Sequence, residues 1–365
     1  MRLALEHVSA RQLFVLVLLL QNGSQLFRRP WATGIENLFI IMAGALLSQL
    51  LLVLLWWLLA KDGGNTGLFP WVVRKCGRKI SFAVFAVLAI YFVFTAFSDV
   101  IYMADSVKIW VLSSTPSWIV LFLLLVLSAH AASASFGAAI NVIKVSLLPF
   151  AIGLLMIVIM IVSDWDMEKL LPVWDRYNDH RSFAEGIIRS FSAFASYEVL
   201  LYAFPLLDKK KSKAGLVAVS LGNGVSAIMY AAVSVVSSLL YTSAQMDGVP
   251  VPILFALKQL ETNVIQSFDV FFSCLWIFVS IARVILCLFA AAKALDHLLG
   301  NSRNKHGYWA WGAAACCFAV GCFIPNHYTI ISILDYRTFL SLAFLAAAVL
   351  FVWMLSRFKR EQGGP

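Results

Sequence analysis

Apolar runs of about twenty residues follow one another along the whole chain, and residues 36–60 form one of them. A run of this length, coiled as an α-helix, spans the hydrocarbon core of a bilayer. Hydrophobic residues make up 61% of the 365 positions and charged residues only 13%, which would give a soluble domain an apolar surface. The predicted fold class is therefore an all-α polytopic membrane protein.

The spacing of these runs predicts ten transmembrane helices in a single domain, residues 1–365. With both termini in the cytoplasm, 18 of the 28 basic residues fall on the cytoplasmic side and 8 on the other, which is the usual bias. The net charge of +9 is therefore attributed to topology, and no nucleic-acid partner is expected. The first span begins after Arg11 and ends at Arg28, and the others cover about residues 36–60, 80–105, 117–135, 140–162, 183–207, 214–241, 265–292, 308–323 and 338–356.

Five polar or helix-weakening residues interrupt the first apolar run: Gln21, Asn22, Gly23, Ser24 and Gln25. Backbone can leave a helix at membrane depth only where protein or a water-filled cavity covers it. A break at this position therefore indicates a lined cavity. The alternative is that the span ends at Gln21 and the polar residues form a loop.

The sixth apolar run contains a carboxylate, Glu198, and the small residues Ala193, Ala195 and Ser196 precede it. A charge at membrane depth costs a few kcal/mol or more, so it usually faces a protein interior or a watery cavity. Small residues let the helix loosen at this point. We therefore expect a second discontinuous helix, which lines a small-molecule site together with the first.

Breaks in spans one and six of ten have the spacing of a 5+5 inverted repeat, with halves at about residues 9–163 and 183–357. Broken helices in matching positions of two halves point to a transporter-type binding site at the bilayer midplane. Half-helix N-termini there favour a ligand carboxylate, and freed carbonyl groups favour an amine or a cation. An amino acid carries both groups.

Two stretches resemble known families. Residues 194–198, FASYE, resemble the Phe-x-Gly-Phe-Glu element in the sixth helix of amino acid–polyamine–organocation permeases. Residues 9–14, SARQLF, followed by a broken first helix, resemble the start of the spore germination permeases, the B subunits of nutrient germinant receptors. The chain departs from those patterns at the first break, where only Gly23 remains of a Gly-x-Gly pattern, and at Ser196, which stands at a glycine position.

The resemblance implies a LeuT-type inverted-repeat fold and a permease-like receptor subunit that binds a small nutrient, an amino acid in particular, and triggers germination. It also implies a hetero-oligomer with a larger A subunit and a lipoprotein C subunit in the spore inner membrane. Two alternatives stay open. One is a proton-coupled amino acid transporter that acts alone, and the other is a structural subunit without ligand binding.

The candidate ligand-binding residues lie in the two breaks and on the third span. Tyr91 on that span is included because it can cover a site between spans one and six, although ordinary packing is the alternative. The full set is Gln21, Asn22, Gly23, Ser24, Gln25, Tyr91, Ala193, Phe194, Ser196, Tyr197 and Glu198.

Five charged residues form a candidate charge network: Asp99, Lys144, Arg189, Glu198 and Arg283. Glu198 and Arg283 have similar predicted depths, so we expect them to pair or to share a polar cavity, with a purely structural pair as the alternative. Asp99 and Arg189 lie near the outer ends of their spans, where they could form a gate or snorkel to the headgroups. Lys144 resembles loosely a fifth-helix lysine of proton-coupled permeases, and an inner-leaflet anchor is its alternative.

Nothing in the sequence indicates an enzyme. It contains no phosphate-binding loop and no HExxH motif, and none of its six cysteines forms a CxxC pair. We therefore expect neither a cofactor nor a metal site. Membrane lipid and a small-molecule nutrient are the expected non-protein partners.

Overall fold

The computed structural model describes residues 8–23, 36–61, 68–162, 180–195, 197–203, 206–207, 212–240, 251–258, 267–299, 306–324 and 326–357. Regular structure in these residues is helical, apart from one isolated parallel bridge between Val8 and Leu207. The α-helices are α1 Ala10–Gln21, α2 Glu36–Lys61, α3 Leu68–Trp110, α4 Ser117–Ala132, α5 Phe136–Val145, α6 Leu147–Val162, α7 His180–Phe194, α8 Leu200–Ala203, α9 Ser212–Leu240, α10 Pro252–Lys258, α11 Phe268–Leu298, α12 His306–Gly321 and α13 His327–Arg357.

Six stretches of helix in the described part of the chain are long and apolar enough to cross a bilayer. They lie in α2, α3, α9, α11 and α13 and in the pair α5 and α6, which is read as one span. Two further apolar helices, α1 and α4, are shorter. The chain is thus an integral membrane protein, as its composition predicts.

The predicted fifth span, residues 140–162, is divided in the structure at Ser146, between α5 and α6. Pro149 explains the division because it has no backbone N–H to donate to the carbonyl of Val145 one turn earlier. The Ser146 hydroxyl instead donates to the carbonyl oxygen of Phe278 on α11, at 2.8 Å. This bond ties the interruption to the centre of the bundle.

The last helix is longer than the span predicted for it, residues 338–356. Helix α13 begins at His327, so Asp335 and Arg337 lie inside it. Charged residues near the end of an apolar run favour a loop in a sequence-based prediction. Here the Arg337 side chain is only 1% exposed, because other helices cover it.

Helix α11 forms the centre of the bundle. Every residue from 282 to 292 is buried, which means that other helices surround this part of α11 on all sides. Helix α3 packs along it most extensively, and α4, α6 and α12 pack on its other faces. Helix α1 packs against α9, and α2 packs against both α7 and α9.

Helices α2 and α7 approach each other closely at Gly44. A Cβ atom at this position would lie 2.7 Å from Ser190 Cβ and 2.8 Å from the backbone nitrogen of Phe191, and it would also contact the Ser190 hydroxyl. Real Cβ atoms essentially never come so near to backbone. The absence of a side chain therefore lets α7 lie against α2 just before the predicted second break.

We predict that Gly44→Ala destabilises the protein by about 1–3 kcal/mol, because the added methyl group forces α2 and α7 apart. Gly224→Ala is the matched control, since a Cβ atom on Gly224 in α9 would meet nothing within 4 Å. The thermal unfolding midpoint of the detergent-solubilised protein measures both effects. A midpoint for Gly44→Ala equal to that of Gly224→Ala would show that the close contact is unimportant.

Candidate functional site

Helix α1 ends after only twelve residues. Asn22 ends it with φ −95° and ψ 12°, and its side-chain amide donates to the Leu18 carbonyl at 2.9 Å and to the Ser226 hydroxyl at 2.7 Å. An asparagine that bonds to backbone in this way competes with the helix. The helix therefore ends at the predicted position, and an interruption within the span, as opposed to its end at Gln21, stays a prediction. Ser24 and Gln25 lie outside the described residues.

Side chains from other helices donate hydrogen bonds to the backbone carbonyl groups at the end of α1. Tyr230 donates to the Gln21 carbonyl at 2.6 Å, and Trp276 donates to the Gly23 carbonyl at 3.0 Å. The Arg283 guanidinium donates to the carbonyl of residue 20 at 3.3 Å. Buried backbone acceptors need such partners, and a cation at this end also suits the helix dipole.

The second break lies where it was predicted. Helix α7 ends at Phe194, Ala195 is not helical, and the chain resumes as a 3₁₀ turn, Tyr197–Val199, that leads into α8. Ser196 and the Tyr197 side chain lie outside the described residues. The described residues 191–195 and 197–203 therefore form a discontinuous helix.

Direct hydrogen bonds join the two breaks. Gln21 Nε2 donates to the Phe194 carbonyl at 2.8 Å and to Asn223 Oδ1 at 3.0 Å. The Ser48 hydroxyl makes longer contacts, 3.4 Å each, with the same two acceptors. The structure thus brings together Gln21 and Phe194, which lie 173 positions apart in the sequence.

Asn223 lies at this junction, although in the sequence its position between two glycines predicts close helix packing rather than ligand binding. Besides accepting from Gln21, its amide donates to the Ala45 carbonyl at 3.3 Å and to Gln49 Oε1 at 3.2 Å, so it links α1, α2 and α9. Its position between Gly222 and Gly224 in an apolar run is the only local signal. That signal does not reveal the partners.

A buried ionic triad lies beside the breaks, and we define it as Asp99, Arg283 and Arg337. The Asp99 carboxylate forms an ion pair with Arg283 Nε at 2.8 Å and a second ion pair with Arg337 Nη1. Side-chain exposure is 1% or 2% for all three residues. The triad therefore connects α3, α11 and α13 within the bundle. Arg337 was not among the predicted site residues.

Glu198 and Tyr91 contact each other in the structure. The Tyr91 hydroxyl donates to Glu198 Oε1 at 2.8 Å and lies 3.4 Å from the Ser341 hydroxyl. The Tyr91 ring stacks on Phe344 with 3.8 Å between centroids. The ion pair that Arg283 forms is with Asp99. A direct Glu198–Arg283 pair remains a prediction.

Two members of the predicted charge network lie elsewhere. Arg189 forms a 2.8 Å ion pair with Glu185 and a 3.9 Å ion pair with Asp335, and its side chain is 35% exposed. Lys144 donates to the exposed Asn141 at 2.9 Å. The structure thus gives Arg189 partners other than Asp99. Within the residues described, no group of three His, Cys, Asp or Glu side chains could hold a metal ion.

The sequence matches the family described as "Spore germination protein" over residues 7–337. The chain belongs to this family. It is 23% identical over 338 residues to Spore germination protein B2 of Bacillus subtilis (strain 168). The aligned region covers 89% of this chain and 87% of that protein. The resemblance noted in the sequence is therefore confirmed.

Two solved structures have the same fold as this spore germination protein. A Na⁺-coupled sialic acid symporter, in a substrate-bound outward-open state, matches 97% of this chain and 80% of its own with a TM-score of 0.69 and 9% identity. Mhp1, a nucleobase-cation-symport-1 family transporter in a closed conformation, matches 97% and 78% with a TM-score of 0.69 and 12% identity. The family and these neighbours are permeases and transporters and not enzymes, and at 9% and 12% identity the neighbours show the fold alone.

We predict that Asp99→Asn destabilises this spore germination protein by about 3–5 kcal/mol, because two buried guanidinium groups lose their shared counter-ion. Thermal unfolding in detergent measures the loss. Asp335→Asn is the control, since its pair with Arg189 is partly exposed and contributes about 0–1 kcal/mol. The double variant Asp99→Asn/Arg337→Gln should recover part of the loss because it removes the surplus charge. Equal midpoints for Asp99→Asn and Asp335→Asn would contradict this account.

Proposed function

We propose that this spore germination protein is the permease-like subunit of a germinant receptor and binds an amino acid between its two broken helices. The observation that carries the proposal is the meeting of the two breaks, joined by the bond from Gln21 to the Phe194 carbonyl and flanked by buried charges. Irregular backbone of this kind persists in a membrane where it lines a cavity or a site.

Unpartnered acceptors at the end of α1 support the amine-binding half of the proposal. Gln21 Oε1, Asn22 Oδ1 and the Ser280 hydroxyl are buried and have no hydrogen-bond partner among the residues that the structure describes. Each such group costs about 1–3 kcal/mol unless something satisfies it. A ligand ammonium group fits these oxygens, and the negative end of the α1 dipole favours it.

The packing pattern supports a 5+5 inverted repeat with halves at about residues 9–163 and 183–357. Ten spans result if α5 and α6 count as one, α7 and α8 count as one, and the short α10 does not cross. Spans one and seven pack together as α1 and α9, and spans two and six pack together as α2 and α7. In a 5+5 repeat, span one corresponds to span six and span two corresponds to span seven. The repeat therefore relates the first of these pairs to the second.

The proposed site comprises the predicted residues of both breaks together with Tyr91 and Glu198. Of these, Ser24, Gln25, Ser196 and the Tyr197 side chain are assigned from the sequence alone. Glu198, Arg283 and Asp99 supply the charges next to the site. Arg189 and Lys144 are assigned to the membrane surface, because each is partly exposed and bonds to exposed neighbours.

The proposed setting is the spore inner membrane, with both termini in the cytoplasm and with receptor A and C subunits as partners. The bias of basic residues supports the orientation. Family membership supports the setting. Affinity purification of the tagged chain from spores should recover the two partner subunits.

We predict that at least one proteinogenic amino acid raises the thermal unfolding midpoint of the purified protein. A ligand at 100 times its Kd adds about 2.7 kcal/mol to the free energy of unfolding. Gln21→Leu should abolish this shift because it removes the bridge between the breaks. Asn37→Leu is the matched control, since it removes a buried amide bond of 2.6 Å to Ser234, which is not bonded to either break. A panel of twenty amino acids with no shift would contradict the proposal.

A transporter that acts alone is the second candidate, and the fold shared with two transporters favours it. The purified chain in proteoliposomes separates the two functions. Under the receptor proposal, the amino acid that stabilises the chain binds but does not accumulate inside the vesicles, with or without a proton gradient. Concentrative uptake driven by that gradient would establish transport instead.

A further inference from the structure

Of the two terminal nitrogens of the Arg337 guanidinium group, only Nη1 has a partner among the described residues. Its Nη1 atom binds Asp99 and lies 3.4 Å from the Ser98 hydroxyl. Its Nη2 atom is buried and has no hydrogen-bond partner in the described ranges of the chain. The side chain as a whole is 1% exposed. Burial of a charged donor without an acceptor costs free energy, so buried donors of this kind normally have a partner.

The charges around Arg337 favour an anion as that partner. The triad carries one negative and two positive charges, which leaves a surplus of +1. Glu198 is a further buried carboxylate, and it accepts a hydrogen bond from Tyr91. The single carboxylate of Asp99 therefore balances only one of the two guanidinium groups that it joins. Guanidinium groups bind carboxylates especially well, since their planar fork matches two oxygens.

Neighbours of Arg337 on α13 contact the second break. The hydroxyl of Thr338, the next residue, accepts from Ser192 at 3.2 Å, and Ser192 lies two positions before the end of α7. One turn further along α13, Ser341 contacts Tyr91, which in turn donates to Glu198. Arg337 therefore lies on the side of α13 that faces the proposed site.

We propose that Arg337 Nη2 binds the carboxylate of the amino acid, while Asp99 holds Nη1 and thereby positions the guanidinium group. The inference rests on the proposed function and narrows it. In this arrangement a side chain, rather than backbone N–H groups, recognises the acidic end of the ligand. Ligands that carry a carboxylate are selected over amides, alcohols and sugars.

The test compares each amino acid with its carboxamide, which keeps the amine and the side chain but loses the negative charge. Binding is followed by thermal shift titration of the full-length protein, wild type and Arg337→Gln. For the wild type, the carboxamide should bind roughly 10- to 150-fold more weakly than the amino acid, as for loss of a hydrogen bond to a charged group. In Arg337→Gln, the affinity for the amino acid should fall by the same factor, and the affinity for the carboxamide should change little.

Two results would overturn the inference. Equal weakening of the amino acid and the carboxamide in Arg337→Gln would assign Arg337 a structural role only. Equal affinity of the wild type for both compounds would show that no carboxylate is recognised, and this result needs no variant. Ser98→Ala is the control, because it removes the neutral neighbour of Nη1 and should leave the preference unchanged. If the wild type binds none of the twenty amino acids, the proposed function itself fails.

Discussion

The sharing of one carboxylate, that of Asp99, between two buried arginines is the interaction on which the rest of the site depends. An unpaired charge in this bundle would cost several kcal/mol, so Arg283 and Arg337 can be buried only because Asp99 lies between them. Arg283 in turn caps the end of α1 through the carbonyl of residue 20. The ion pairs and the broken helix therefore stabilise each other, and together they fix α1, α3, α11 and α13.

The two breaks could be predicted because their signals are local. A cluster of amide side chains around Gly23 and a carboxylate at Glu198 are conspicuous in apolar runs, and each weakens a helix or requires burial on its own account. In the structure α1 ends at Gln21 and α7 ends at Phe194, next to these signals. The general class of fold also followed, since broken helices in matching spans are typical of transporter-type folds.

The partners could not be predicted, because they depend on packing between distant segments. Arg337 resembled a loop residue in the sequence, yet it lies within α13 and pairs with a carboxylate 238 positions earlier. Asn223 gave only a weak signal between two glycines, yet it bonds to both Gln21 and Gln49. Asp99 was expected near Arg189 at one surface, and it instead lies in the core with two other arginines. Helical periodicity carries no information on which charges meet.

The proposed arrangement, in which the two breaks face one small-molecule site beside the ionic triad, can be examined in an experimental structure of the purified protein bound to the amino acid that stabilises it most. We expect ligand density between residues 21–23 and residues 193–198, with the carboxylate toward Arg337 and the amine toward Gln21 and Asn22. Ligand density away from both breaks, with Gln21 still bonded to Phe194, would contradict this arrangement.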